Sequence, residues 1–230
     1  MKFSVVIPAL NEEQYIGEAV EALCRQDIPR DQYEIIVVDN GSQDATGQVA
    51  LVFGADKVVV ERTKGTNIAR QRGIDESRGE IIAFLDADCV APTDWLSQIG
   101  HLFSNKDIAA VSGPCVFGTA EDKFYTIFPA LEKVIDVAEI VFDKKAGLLL
   151  GGNFAIKRDT LDKIGKLPPV EFFGDDASLA MVISRKAGKV LFDKRLIVKS
   201  SPRRFKEKGT INVVSKYAWH YIKSYFETER

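Results

Sequence analysis

Four apolar runs of strand length, Phe3 to Ile7, Glu34 to Val38, Lys57 to Val60 and Ile81 to Leu85, alternate with segments whose apolar residues recur at the period of a helix. Runs that are apolar at nearly every position need cover on both faces, and βαβ units on a parallel sheet supply it. Between the first two runs, Ile16, Val20 and Leu23 share one helical face, and Asn11 can cap that helix with Glu12 and Glu13 in its first turn. Asp44 can cap a second helix from Ala45 to Val52. A third is expected from Thr66 to Glu76, ending near Gly79, and a fourth opens at Pro92-Thr93-Asp94 and reaches Phe103. Beyond it the alternation weakens. The pattern predicts a strand from Ile108 to Phe117, helix or irregular crossover from Glu121 to Lys145, and a strand from Leu148 to Ile156 with Gly151-Gly152 inside it. A helix from Asp176 to Lys186 and short strands at Val190 to Phe192 and Leu196 to Val198 follow. An α/β half followed by a mixed α+β half results, and 230 residues, 46% of them apolar, suffice for one sizeable core.

The net charge of −2 gives no global reason to bind nucleic acid, although Lys194 to Lys208 carries seven Lys or Arg against Glu207 alone. Cys24, Cys89 and Cys115 are odd in number and widely spaced, which predicts reduced core thiols of a cytosolic protein. The first residues lack the pattern of a signal peptide, and no apolar stretch approaches the roughly 18 to 20 residues of a membrane span. A cytoplasmic protein is expected, at most peripheral at a membrane.

Open α/β sheets bind ligands at the carboxyl edge of their strands, and that edge is where this chain places its polar clusters. After the fourth run stands Asp86-Ala87-Asp88, a carboxylate pair that can hold a hard divalent cation, which in turn can hold a diphosphate. Pro8-Ala9-Leu10-Asn11-Glu12 follows the first run and Asp39-Asn40-Gly41-Ser42 the second. Asp39 can accept from a nucleobase N–H or ribose hydroxyls, and Ala9 can offer backbone groups to the base. Arg70 and Arg72, on the helix before the D-x-D strand, can face phosphates. Neither G-x-G-x-x-G nor a Walker loop occurs. Phe172-Phe173-Gly174-Asp175-Asp176 opens a helix, where one carboxylate can cap while the other serves as general base.

In this order the motifs resemble those of family 2 glycosyltransferases with the GT-A fold of nucleotide-diphosphosugar transferases. The likeness is carried by Ser4 to Glu13, Ile36 to Thr46, Ala69 to Ile74, Gly79 to Asp88, Gly151 to Ile156, and Gly174-Asp175-Asp176 with Leu179 and Arg185, spanning residues 3 to 188. The resemblance implies a Rossmann-like, mostly parallel mixed sheet flanked by helices, divided into a nucleotide-sugar half (residues 1–105), an acceptor half (106–200) and a basic, amphipathic tail (201–230). It implies inverting transfer from a nucleotide-diphosphosugar to a hydroxyl of a saccharide or lipid-linked acceptor. In that scheme Pro8, Ala9, Glu12, Asp39 and Arg70 bind the nucleotide and Asp86 the sugar or ribose. Asp88 ligates Mg²⁺ or Mn²⁺, Asp176 is the base and Asp175 supports it. Arg203 and Arg204 resemble a paired-arginine stretch that lies near the diphosphate in some relatives. Two departures stand out: Cys89 replaces a polar or acidic residue beside Asp88, and a soft thiol ligates Mg²⁺ poorly; and Asp175-Asp176 stands where Glu-Asp is commoner.

The tail carries an apolar stripe, Ile211, Val214, Tyr217, Ala218, Tyr221 and Tyr225, suited to docking on the core or to a membrane or lipid-linked acceptor. Two rival classes are a nucleotidyltransferase, opposed by the acidic Asn11-Glu12-Glu13 where a Gly-rich basic loop belongs, and a nucleotide-sugar-binding module without catalysis, opposed by the presence of both aspartates.

Overall fold

The computed structural model describes residues 1–117, 149–167 and 175–203. Among them, β1 (Phe3–Ala9), β2 (Tyr33–Asp39), β3 (Lys57–Val60), β4 (Ile81–Leu85), β6 (Ile108–Ser112), β8 (Asn153–Lys157) and β9 (Lys189–Phe192) form a seven-stranded sheet in the order β3-β2-β1-β4-β8-β6-β9. All neighbouring pairs are parallel except those of β8, which runs antiparallel to both β4 and β6. A second sheet of three short strands, β5 (Cys89–Val90), β10 (Val198–Ser200) and β7 (Cys115–Phe117), stands beside it. The expected mixed, mostly parallel architecture is therefore present.

Continuous apolar runs follow from burial on both faces. Phe3, Val5, Ile7, Ile35, Val37, Ala83 and Leu85 turn one way, onto α1 (Ile16–Cys24) and α4 (Trp95–Leu102), with Ile16, Val20, Leu23, Trp95, Leu96 and Ile99 opposite them. Val6, Ile36, Val38, Ile82, Phe84, Phe154 and Ile156 turn the other way, where α3 (Thr66–Glu76), α5 (Arg158–Ile164) and α6 (Asp175–Lys186) contribute Ala69, Ile74, Leu161, Leu179 and Ile183. The helix α3 lies so close to β1 that a Cβ at Gly73 would stand 2.2 Å from Val6 Cγ1, a contact no side chain can make.

Several expected boundaries shift. Asn11 does not cap α1: it adopts a left-handed backbone (φ 56°), and the helix begins at Ile16 after a turn closed from Ile16 N–H to the Glu12 carbonyl at 2.9 Å. Asp44 does bind the first turn of α2 (Thr46–Val52), its Oδ1 accepting from Thr46 N–H at 3.1 Å. The single strand expected from Ile108 to Phe117 is two, β6 and β7, divided at Gly113-Pro114 between the two sheets; proline cannot donate to a ladder and marks the break. Gly151-Gly152 form a turn ahead of β8 rather than the inside of a strand, and the last strand is Val198–Ser200. The segment 121–145, Arg204 and the tail stripe from Ile211 to Tyr225 lie outside the described residues. Among the described residues no helix is long and apolar enough to cross a membrane.

A buried polar knot fastens the α3–β4 connection to the sheet. Ser4 Oγ donates to Glu34 Oε1 at 2.6 Å, Arg78 N–H donates to the same oxygen at 2.8 Å, and Gly79 N–H donates to Ser4 Oγ at 2.8 Å. Burial pushes the Glu34 carboxyl up, but the hydrogen bonds from Ser4 and Arg78 outweigh it and hold its pKa below the usual glutamate range. A depressed folded-state pKa gives stability that is present above the unfolded value, about 4.3, and is lost as pH falls through the folded one. Glu34→Gln is expected to lower stability by about 1–3 kcal/mol at pH 7, with the gap to wild type narrowing below about pH 4. Urea midpoints at pH 7 and pH 3 measure it, and a gap that does not change with pH contradicts the assignment.

Candidate active site

At Leu85 the chain leaves the main sheet, turns through Asp86-Ala87-Asp88 and enters β5 of the small sheet. The corner is pinned on both sides: Cys89 N–H donates to the Asp86 carbonyl at 3.0 Å, and Ser201 N–H, just past β10, donates to the Asp88 carbonyl at 3.0 Å. Ala87 is buried between two half-buried aspartates, which anchors the turn that carries both carboxylates.

The neighbouring loops are stapled to one another. Asn11 N–H donates to Ser42 Oγ at 3.0 Å, Gln43 N–H to Asn11 Oδ1 at 2.8 Å, Glu12 N–H to Thr46 Oγ1 at 2.8 Å, and Ala45 N–H to Glu13 Oε2 at 2.9 Å. Ser42, Asp44 and Asn11 thus hold the edge in shape. Asp39, half-buried opposite Ala9, accepts from Ser42 N–H at 2.7 Å through Oδ1. Glu12 Oε1 accepts from Arg203 Nη2 at 2.6 Å, while Oε2 is buried without a hydrogen-bond partner among the described residues. The Arg203 guanidinium lies 4.7 Å from the Tyr15 ring centroid, and its pKa is raised first by the Glu12 hydrogen bond, against burial, with the charges of Glu12 and Asp88 adding. Arg72 points away, to Glu76 at 2.7 Å, leaving it on the solvated helix face.

The centre of the site is Arg70. Its side chain is 4% exposed and reaches 3.2 Å from Asp176 Oδ1, 3.6 Å from Asp86 Oδ1, and 2.8 Å from the Gly151 carbonyl, to which it donates. Asp176, 16% exposed at the head of α6, accepts from Gly151 N–H at 2.7 Å through Oδ2. The guanidinium covers the Phe154 ring at 5.3 Å, and Phe154 stacks on Phe84 at 4.5 Å. Asp86 and Asp176, 90 positions apart in sequence, therefore meet on one cation. The Asp175 side chain lies outside the described residues.

Asn153 is a contributor that sequence reasoning assigned no role. Fully buried at the start of β8, it accepts from Trp95 Nε1 at 2.9 Å and donates to the Leu196 carbonyl at 2.6 Å, tying α4 and the approach to β10 to the Gly151-Gly152 turn. A lone Asn after Gly-Gly at the head of an apolar strand was the available signal. Tyr15, beneath Arg203, carried none.

Among the described residues no three His, Cys, Asp or Glu side chains group as a metal cage. The donor set nevertheless fits a hard cation that completes its shell with phosphate oxygens, as Mg²⁺ does on one or two carboxylates: Asp88 offers oxygen, and the Cys89 thiol beside it stays protonated, its pKa pushed up by a hydrogen bond with Cys115 and by burial. All three cysteines are free, two of them buried, as expected, with Cys24 partly exposed.

The family model described as Glycosyl transferase family 2 matches residues 4–165, well over half of the chain. The chain belongs to glycosyltransferase family 2. A curated relative, Glycosyltransferase AglE of Haloferax volcanii, is 30% identical over 183 residues, covering 75% of this chain and 58% of its own length. The Beta-monoglucosyldiacylglycerol synthase of Trichormus variabilis is 30% identical over 175 residues, covering 70% of this chain and 37% of its own. The chain thus spans about a third to three fifths of these relatives. Among solved structures, the mannosyltransferase PcManGT of Pyrobaculum calidifontis, in complex with GDP-Man and Mn²⁺, superposes with a TM-score of 0.76 at 26% identity over 97% of this chain and 64% of that one. Glucosyl-3-phosphoglycerate synthase of Mycobacterium tuberculosis, holding Mn²⁺, UDP and glucosyl-3-phosphoglycerate, shares the fold with a TM-score of 0.62 at 21% identity, covering 97% of this chain and 79% of that one. These likenesses bear out the family and the GT-A architecture.

Within this family-2 site the Gly151 backbone passes so near its neighbours that a Cβ there would stand 2.7 Å from both Arg70 Nη2 and Asp176 Oδ2. Gly151→Ala is therefore expected to force the two apart and to lower stability by about 1–3 kcal/mol. Denaturant unfolding against wild type checks this, and an unchanged midpoint means that the cluster yields freely.

Proposed function

We propose that the crevice binds a nucleotide-diphosphosugar and transfers its sugar, with inversion, to an acceptor hydroxyl. The observation that carries this is the meeting of Asp86, from the carboxyl edge of β4, with Asp176, from the head of α6, on one buried cation, Arg70. The donor-side carboxylates and a candidate base then share one opening. GDP-Man in the Pyrobaculum calidifontis mannosyltransferase and UDP in the Mycobacterium tuberculosis synthase support the donor class. Residues 1–105 serve as the donor half and 106–200 as the acceptor half, and Arg203, held beside Glu12, borders the diphosphate.

Pro8, Ala9, Glu12 and Asp39 take the nucleoside, Asp86 the sugar or ribose, and Arg203 the diphosphate, while Asp88 offers its carboxylate to Mg²⁺ or Mn²⁺. That cation, when bound, stabilises charge on the departing nucleoside diphosphate. Asp176 accepts the hydroxyl proton of the acceptor as its oxygen bonds to the anomeric carbon. The bond from that carbon to the diphosphate breaks, and its electron pair leaves with the nucleoside diphosphate. A carboxylate accepts several hydrogen bonds at once, so the bonds of Asp176 to Arg70 and Gly151 are compatible with its role as base. Attack from the face opposite the diphosphate inverts the anomeric centre, and Asp175 supports the base.

Two substitutions test the scheme. Asp88→Ala is expected to abolish the Mn²⁺ dependence of nucleotide binding in calorimetry while leaving the melting temperature near wild type, because it sits at the rim of the fold. Asp176→Asn is expected to lower turnover by about 10²–10⁴-fold with nucleotide affinity little changed. Near-normal turnover by that variant removes Asp176 from the role of base.

A further inference from the structure

We propose that Arg70 is a positioning residue, a buried guanidinium that fixes the Asp176 base and the donor-side Asp86 relative to each other, rather than a ligand of the donor phosphates. The proposal rests on the assignment of Asp176 as base.

The geometry turns this arginine inward. Its side chain is 4% exposed. Nη1 donates to Asp176 Oδ1 at 3.2 Å and to Asn67 Oδ1 at 3.3 Å, and Nη2 donates to the Gly151 carbonyl at 2.8 Å while lying 3.6 Å from Asp86 Oδ1. The Phe154 ring covers the guanidinium at 5.3 Å. Reaching a diphosphate would mean giving up these bonds and leaving two carboxylates without their shared cation, which is costly in a partly buried site. A planar fork is well matched to such partners. Guanidinium presents donors in fixed directions and never loses its proton, so it can hold two carboxylates and a carbonyl at set angles, whereas an ammonium is a point charge.

Arg70 thereby does two things. It keeps one Asp176 oxygen oriented while Gly151 N–H holds the other at 2.7 Å, so that both oxygens of the base are anchored as it meets the acceptor. It also places a positive charge between Asp86 and Asp176, which offsets the repulsion of two carboxylates at close quarters, as a donor-binding group beside a base requires. Orientation of this kind acts on the transition state, where a misplacement of about 1 Å costs about 10²-fold.

The test uses the full chain, MnCl₂, and whichever of GDP-Man and UDP-GlcNAc gives saturable binding in calorimetry; water serves as acceptor, and donor hydrolysis gives kcat. Binding of neither donor removes the nucleotide-sugar assignment and this proposal together. Arg70→Gln is expected to leave donor Kd within about threefold while kcat falls about 10- to 100-fold. Arg70→Lys restores fold stability more than kcat, because it returns the charge but not the fork. In an Asp176→Asn background, Arg70→Gln adds little further loss, since residues acting as a unit are non-additive. A donor Kd raised more than about tenfold with kcat retained overturns the proposal in favour of a phosphate ligand. A full, multiplicative loss in the Asp176→Asn background overturns it too, showing action independent of the base. Full turnover by Asp176→Asn alone sinks the base assignment instead and leaves the Kd comparison to report on Arg70 separately. If Arg70→Gln does not fold, as judged by thermal melting, Arg70→Lys carries the same Kd-against-kcat comparison.

Discussion

Cover on both faces of the seven-stranded sheet is the constraint from which everything else in this molecule follows. With Val5, Ile35 and Ala83 pressed against one helical layer and Val6, Ile36 and Ile82 against the other, no strand interior can carry a working polar group. Polar side chains are driven to the strand ends. There Asp39 ends β2, and Asp86 and Asp88 stand in the turn directly after β4, whose apolar body fixes where that turn begins. The chemistry is thus positioned by hydrophobic burial more than by any polar contact, and the loops need only refine it.

The refinement is done by hydrogen bonds between loops distant in sequence. The β1–α1 and β2–α2 connections exchange five such bonds, from Asn11, Glu12, Glu13, Gln43 and Ala45, so the donor edge is shaped before anything binds to it. Preorganised groups need not rearrange when charge develops in a transition state. Opposite them, Trp95, Asn153 and the Leu196 carbonyl hold the turn from which Gly151 meets Arg70 and Asp176. Each side of the crevice has its own bracing, and Arg70 joins the two.

How much of this the sequence discloses depends on how local each signal is. The strands β1 to β4 and the helix α3 are legible because periodicity and apolar content are written within a few consecutive residues, and the D-x-D corner is legible because both carboxylates directly follow a strand. The direction of β8 is not: an antiparallel strand inserted between β4 and β6 is decided by pairing across some seventy positions, as from Ala83 to Ala155, which no local pattern encodes. Arg70 shows the same limit. Its residue type suggests an anion, but its partners Gly151 and Asp176 lie 81 and 106 positions away, and only packing brings the protein's own carboxylates beside it. Asn11 looked like a helix cap because Asn caps helices, yet Gln43 N–H claims its side chain across the edge.

Because β8 runs against its neighbours, its first residues stand at the same edge as the last residues of β4, with Leu85 opposite Asn153. Phe117 is at that edge as well, through its pairing with Ser200, which also faces Cys89. The described chain therefore ends at Phe117 and resumes at Leu149 on the edge that carries Asp86, so the turn that meets Arg70 and Asp176 takes its place from the pairing of β8 with β4 and β6.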